Sequence, residues 1–400
     1  MSSGFQRILV NLHILALLFC VIFEFQPKEP ESLTELLVNQ CEYETQHLCP
    51  ECFVSPTVNC GHLANFVTID SSNPWNQLTC RYNPHGVSYG LLGSGQKVVI
   101  KTLNKNRAVE ALRDAVCDEL GLTQSNCKFK SDENTLKVLR RKVLEQELEG
   151  CIICPSKDEK ALNRLLNEVE GTELLQLILL KVNVQPLLLE LFDGRGFPVP
   201  KVIFQGGFQL FESFDGDALV NFYDSSLNIR LRIAKELIQA SFLFTEGVNG
   251  FRFYLTDINP DNIAVQAQPS GSFQVSFIDL DNVIILDSQS KRLDRRSKAR
   301  NIHSRIPCDG CFAYVQEDLC SYQHSDINQF AICQLLYENL NGDREGGFLH
   351  IQPNDDSQPR LSEIRQLLHH CVYCVPPDCR DRQGLLQQVQ EIIDGILVES

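Results

Sequence analysis

The 400 residues predict an α+β fold of two lobes, disulfide-rich and headed by a cysteine-rich N-terminal cap. Three observations carry that prediction. Short β-branched or alternating apolar stretches mark the first part of the chain, and apolar residues at helical spacing mark the second; this pattern implies a strand-rich lobe, a helix-rich lobe and a cleft between them. The composition, 43% hydrophobic and 22% charged, is that of an ordinary globular chain with a core of useful size. There are 17 cysteines, 16 of them between Cys41 and Cys379, enough for as many as eight bridges in an oxidising compartment. A net charge of -15 excludes nucleic acid as a bulk partner, because phosphate binding needs a basic footprint.

Taken in order, Arg7 precedes an apolar run from Ile8 to Phe23, broken only by Asn11 and His13. A charged start followed by such a run is a secretory targeting segment, either a cleaved signal peptide or an uncleaved type II anchor. No N-x-[ST] sequon is present in the sequence. Residues 28–80 hold Cys41, Cys49, Cys52, Cys60 and Cys80 with little periodicity and read as the cross-linked cap. A strand beginning near Tyr89, the turn Gly93-Ser94-Gly95 and the run Lys97–Lys101 predict a hairpin. Residues 104–170 are charged and helical in flavour, and Thr172–Phe192 reads as one leucine-rich helix. The turn through Gly194, Gly196, Pro198 and Pro200 leads into a second pair of strands, followed by a long helix over Ser226–Glu246. Two short strands, Phe253–Leu255 and Val275–Ile278, precede cysteine-bearing helices from Asp326 onward.

The chemistry concentrates around those two short strands. YLTDINPDNIAV (254–265) places Asp257 five residues before Asn262, and Asp279 ends an apolar strand 17 residues later. Alone, D-x(4)-N with a proline is a solvated turn as readily as a site. Together the three resemble the protein-kinase catalytic loop H-R-D-x-x-x-x-N and the metal-binding D-F-G. Upstream, Val99-Ile100-Lys101 fits V-A-I-K, whose lysine grips the nucleotide phosphates; an exposed edge-strand lysine is the plainer reading. Glu173 is taken as its helix partner, ahead of Glu110 or Glu119. Gly86 and Gly90 are the only remnants of a glycine loop, and Gly90 and Glu212 are assigned to cofactor binding with Lys101. HSDINQFAICQLLYENL (324–340) resembles the kinase stretch whose Asp, here Asp326, holds the catalytic loop; helix capping is the alternative.

Further motifs narrow the resemblance: CPECF, VVIK, FPVPK, NIAV, FIDLDNV, the C-x-x-C at 308–311, CSYQHSDINQFAICQLL and GGFLH. With them the chain resembles the divergent protein kinase domain 2 family, the deleted-in-autism group of secretory-pathway proteins, over most of its length. The resemblance implies a bilobal protein-kinase-like fold in a Golgi or extracellular protein, with a paracrine signalling role attributed to the family. It implies ATP with Mg²⁺ or Mn²⁺ as cofactors, Asp257 as base, Asn262 and Asp279 as metal ligands, Lys101 on phosphate and Glu173 positioning Lys101. The domains are then 1–27, signal peptide or anchor; 28–80, cap; 81–211, N-lobe with a charged insertion; and 212–400, helical C-lobe.

The departures are as informative. Leu255-Thr256 replaces H-R, Asn259 replaces the loop lysine of Ser/Thr kinases, and no G-x-G-x-x-G is present. Three function classes stay open: phosphoryl transfer to a lumenal or secreted protein acceptor, a secreted pseudokinase that meets a cell-surface receptor, and nucleotidyl transfer with the nucleotide reversed. A membrane enters only if the N-terminal segment stays as an anchor. The four C-x-x-C pairs are expected to be structural disulfides rather than zinc or redox centres. The basic run 291–305, seven cations and one acid, is a solvated loop, a docking strip for an anionic substrate or a processing site.

Overall fold

A computed structural model describes residues 33–53, 60, 67–69, 86–122, 127–145, 151–295, 314–339, 341–344, 346–351, 359–374 and 381–399. The targeting segment, Cys80, the pair Cys308/Cys311, Cys379 and the basic run beyond Arg295 lie outside them.

The cap supplies helix α1 (Leu33–Tyr43) and the first strand of the upper sheet, β1 (Val67–Ile69). The predicted hairpin forms β2 (Val87–Leu92) and β3 (Lys97–Thr102). Helices α2 (Ala108–Glu119) and α3 (Glu133–Glu145), strand β4 (Ile152–Cys154) and helix α4 (Glu159–Leu166) fill the charged insertion. The leucine-rich stretch forms two helices, α5 (Glu173–Val182) and α6 (Gln185–Phe192), which meet at 113°. Thr172 starts α5 by accepting the Leu175 N–H at 3.3 Å. The break follows from Pro186, which has no N–H for a helical bond and occupies the first turn of α6.

Strands β5 (Val202–Gly206) and β6 (Gln209–Ser213) complete an antiparallel sheet of order β1-β2-β3-β6-β5. Strand β6 runs to Ser213, across the expected boundary after 211. Period-2 alternation decides what each face of β3 meets. Val98 and Ile100, with Phe211 of β6 and Val67 of β1, pack under Leu37 and Cys41 of α1, which Cys60 staples through the Cys41–Cys60 disulfide. Val99 and Lys101 face the other way, toward the lower lobe.

That lobe begins with β7 (Asp217–Ala218) and the long helix α7 (Leu227–Glu246), followed by β8 (Phe251–Leu255), β9 (Ile263–Ala267), β10 (Phe273–Phe277) and β11 (Val283–Asp287). Helices α8 (Gln316–Ser321), α9 (Ile327–Tyr337), α10 (Pro359–Val372) and α11 (Arg382–Glu399) close the chain. These five strands and β4 make two small sheets: β10-β9-β7 and β4-β11-β8. In the second, β4 runs parallel to β11, so part of the insertion assigned to the upper lobe is built into the lower one. The Cys154–Cys320 disulfide fixes that excursion.

Further disulfides join Cys49 to Cys52, Cys117 to Cys127 and Cys333 to Cys371, and Cys374 is also disulfide-bonded. Among the described residues every cysteine but Cys151 is disulfide-bonded, which fits folding in an oxidising environment. Among the described residues only Cys151 is a free thiol; it is buried, and burial pushes its pKa up to about 12, which leaves it unreactive.

Candidate functional site

The strand pair β8–β11 and the pair β9–β10 place two loops side by side. Leaving β8, Thr256 donates its backbone N–H to the Asn282 carbonyl at 3.3 Å, which fixes where Asp257 begins. Asn259 then folds the chain back. Its Oδ1 accepts the N–H groups of Asp261 and Asn262 at 3.0 and 3.1 Å, capping the short turn that Pro260 opens. Two amides orient the Asp257 carboxylate: Asn259 Nδ2 donates to one oxygen at 2.7 Å, and Asn262 Nδ2 donates to the other at 2.9 Å. The carboxylate is exposed, so it is held in place yet open to an incoming molecule.

The second loop is tied to the first by the Ile278 N–H, which donates to the Asn262 carbonyl at 3.0 Å. Asp279 follows directly. Asp281 stands beside it, its carboxyl raised above the ordinary range first by burial and then by the Asp279 charge, while Lys105 opposes the shift. Lys105 Nζ lies 3.5 Å from Asp281, joining the segment after β3 to this loop.

Lys101 comes down onto the same loop from β3. It is buried, 3.4 Å from Glu212 of β6, donates to Gln185 Oε1 at 3.2 Å and also donates to the Ile278 carbonyl. Burial raises the Glu212 carboxyl, Lys101 and Gln185 oppose this, and Asp279 adds to it. Lys101, Glu212, Asp279, Asn262 and Asp257 therefore lie together on adjoining strands and loops. Its hard oxygen donors, the carboxylates of Asp279 and Asp281 and the amide oxygen of Asn262, suit Mg²⁺ or Mn²⁺ chemically. No three His, Cys, Asp or Glu side chains among the described residues converge on one point.

Three expectations change. Glu173 does not meet Lys101: it sits at the first turn of α5, partly exposed and paired with Arg140 of α3, because the break before Pro186 directs α6 rather than α5 at the lysine. Gly90 lies in the middle of β2 opposite Val98, on the face turned toward the cap. A Cβ there would come within 2.8 Å of Val67 Cγ1, so this glycine serves close strand packing and not a phosphate. Asp326 takes up Arg382 at 2.6 Å, and the Leu255 N–H at the start of the loop is bound by Asn328, two residues further on, at 2.9 Å. A cavity of about 1000 Å³ between α6, the 193–201 turn and α7 contains none of the predicted residues.

Residues 177–373 match the family described as the protein-kinase domain of FAM69. A Xenopus tropicalis protein named Divergent protein kinase domain 2A is 27% identical over 344 residues, covering 78% of this chain and 76% of that protein. Human and mouse proteins of the same name are each 25% identical over 333 residues, covering 75% of this chain and 74% of theirs. The chain is similar over about three quarters of its length to proteins named Divergent protein kinase domain 2A. The resemblance read from VVIK, NIAV and FIDLDNV is therefore borne out, and so is the kinase-like fold. Among solved structures, the pseudokinase domain of BIR2, an immune regulator of the RLK/Pelle family, aligns at 10% identity with a TM-score of 0.36, covering 86% of this chain and 93% of that one.

Within the kinase-like pattern, sequence reasoning missed Gln185, Asp281 and Lys105. Asp281 was visible as the acid replacing the glycine of D-F-G. Gln185 was hidden because a kinase lysine usually pairs with a carboxylate, although its place at the head of the helix before FPVPK marked it.

Proposed function

We propose that the cleft binds ATP with Mg²⁺ or Mn²⁺ and transfers the terminal phosphate to a hydroxyl of a lumenal or secreted protein. The observation that carries this reading is the joining of Asp257, Asn262 and Asp279 through loop hydrogen bonds, with Lys101 above them. Asp279 and the Asn262 amide oxygen would hold the cation, which supplies charge neutralisation on the phosphates. Asn262 suits that role because its nitrogen is committed to Asp257. Lys101 would grip phosphate. Asp257, held by two amides with its outer face exposed, accepts the proton of the acceptor hydroxyl as the O–P bond forms and ADP leaves. The disulfides and the N-terminal apolar run support a Golgi-lumenal or secreted location.

A second reading, a secreted pseudokinase that presents the fold to a cell-surface receptor, is supported by Asn259. It bonds to Asp257 where a lysine would otherwise reach the transferred phosphate, removing transition-state stabilisation.

Thermal unfolding with and without ATP and Mn²⁺ separates these readings. Ligand at about 100-fold over Kd stabilises by roughly 2.7 kcal/mol. Asp279→Ala should abolish the metal-dependent shift, while Asp257→Ala should keep it and lose transfer, measured by mass spectrometry of acceptor mixtures. A shift without transfer in the wild type supports the pseudokinase. No metal-dependent shift in the wild type overturns the site.

A further inference from the structure

We propose that Gln185 and Glu212 are a matched pair that does the work of a helix glutamate: Glu212 supplies the charge for Lys101 from strand β6, and Gln185 couples Lys101 to the backbone on both sides of Asp279. This deepens the nucleotide reading and rests on it.

An ammonium has three donors and no acceptor. Lys101 has three partners: Gln185 Oε1 at 3.2 Å, Glu212 at 3.4 Å and the Ile278 carbonyl. A carboxamide has two donors and an oxygen with two lone pairs. Gln185 uses all four. Its oxygen accepts from Lys101 and from the Leu280 N–H, the latter at 3.3 Å, while its nitrogen donates to Glu212 and to the Ile278 carbonyl, the latter at 3.3 Å. A glutamate at 185 could accept from Lys101 and Leu280 but could donate to neither Glu212 nor Ile278. It would set a second carboxylate against Glu212 where both side chains are 1% exposed and solvent screens little. With the acid on β6, the helix must carry the amide; with the acid on the helix, β6 must carry it.

The arrangement links the nucleotide to the metal acid. Ile278 and Leu280 flank Asp279, and Gln185 bonds to both. A phosphate can reach Lys101 only by displacing one of its three acceptors. The Ile278 carbonyl is the least costly to release, since it is neutral and keeps the Gln185 nitrogen as a second donor. Gln185 is thus a positioning residue that sets Asp279 according to what Lys101 holds.

The test is a four-member cycle in the full chain secreted from a eukaryotic host: wild type, Gln185→Glu, Glu212→Gln and the double swap. Denaturant unfolding and the Kd for ATP with Mn²⁺ are measured on each. Each single swap should weaken ATP binding about tenfold or more, and the double swap should return to within about threefold of wild type, with stability changing non-additively in parallel. Additive losses in both measurements overturn the proposal. If the wild type binds no ATP, the nucleotide reading falls, and non-additive stability still supports the pair while additive stability overturns it. If a single swap is not secreted, recovery of secretion by the double swap supports the pair and failure to recover overturns it. Gln185→Leu, which keeps volume but cuts the bond to Leu280, should raise the Mn²⁺ needed for half-maximal ATP stabilisation about threefold or more. A purely structural role would leave that midpoint unchanged.

Discussion

Glu44, just beyond the cap helix, is a buried acid with no part in the cleft, and it makes the junction between cap and sheet sensitive to pH. Its oxygens accept the Phe208 N–H at 2.8 Å and the Gln40 amide at 3.0 Å. Burial raises its pKa from the ordinary 4.5 to about 7, against the pull of those hydrogen bonds and with a smaller push from Glu110. A carboxyl raised in the folded state binds its proton more tightly there than in the unfolded chain. Its contribution is therefore complete below about pH 4.5 and is lost as pH rises through 7. Denaturant midpoints should fall between about pH 4.5 and 7, with Glu44 contributing up to roughly 3 kcal/mol, and Glu44→Gln should flatten that slope. An unchanged slope in the variant would remove Glu44 from the explanation. At this scale the site was legible wherever spacing along the chain is itself the constraint: Asp257, Asn262 and Asp279 lie on two adjoining loops. It was illegible for the partner of Lys101, because sequence does not say which helix end points at a strand. Glu212 lies beside Lys101, whereas Glu173, chosen for its charge, sits away from it, and Gln185 takes its place.

Between elements, the contact that holds β8, the strand leading into the Asp257 loop, is made by α9. Asn328 is fully buried; its oxygen accepts the Leu255 N–H at 2.9 Å, and its nitrogen donates to the Phe253 carbonyl at 2.8 Å and to Thr245 at 3.0 Å. Asn328→Ala strands those groups in a dry setting, which costs about 1–3 kcal/mol for each one left unpaired. The expected result is a destabilised chain with faster amide exchange at Leu255 than at the β2–β3 hairpin, read by hydrogen-exchange mass spectrometry. Equal protection of both would show that α9 does not carry the strand. The hairpin was legible because turn glycines and alternation are local signals, and the same holds for the β5–β6 pair. The division of Thr172–Phe192 was signalled only by Pro186, which a leucine count overrides. Strand β4 left no signal: three residues become a strand only because β11, far along the chain, offers an edge.

Across the whole molecule, the disulfides differ in how much chain they close, and this sets how they should share in stability. Cys117–Cys127 closes a loop of sequence separation 10 inside one lobe, whereas Cys154–Cys320 spans 166 residues and ties the insertion to the segment beyond Asp279. In the chain-entropy account a cross-link acts on the unfolded state, giving about 3 kcal/mol for a loop near ten residues and about 5 kcal/mol for one near 170. The longer bridge also fixes β4, which pairs with β11, to α8, so its loss frees a strand edge that the shorter bridge does not control. Replacing Cys154 and Cys320 together by alanine should therefore lower stability more than the same change at Cys117 and Cys127. It should also open β4 and β11 to exchange before the upper sheet yields. Denaturant unfolding of the two double variants checks the order. Equal losses, or a larger loss at Cys117 and Cys127, would mean that local packing rather than chain connectivity governs how these bridges hold the fold together.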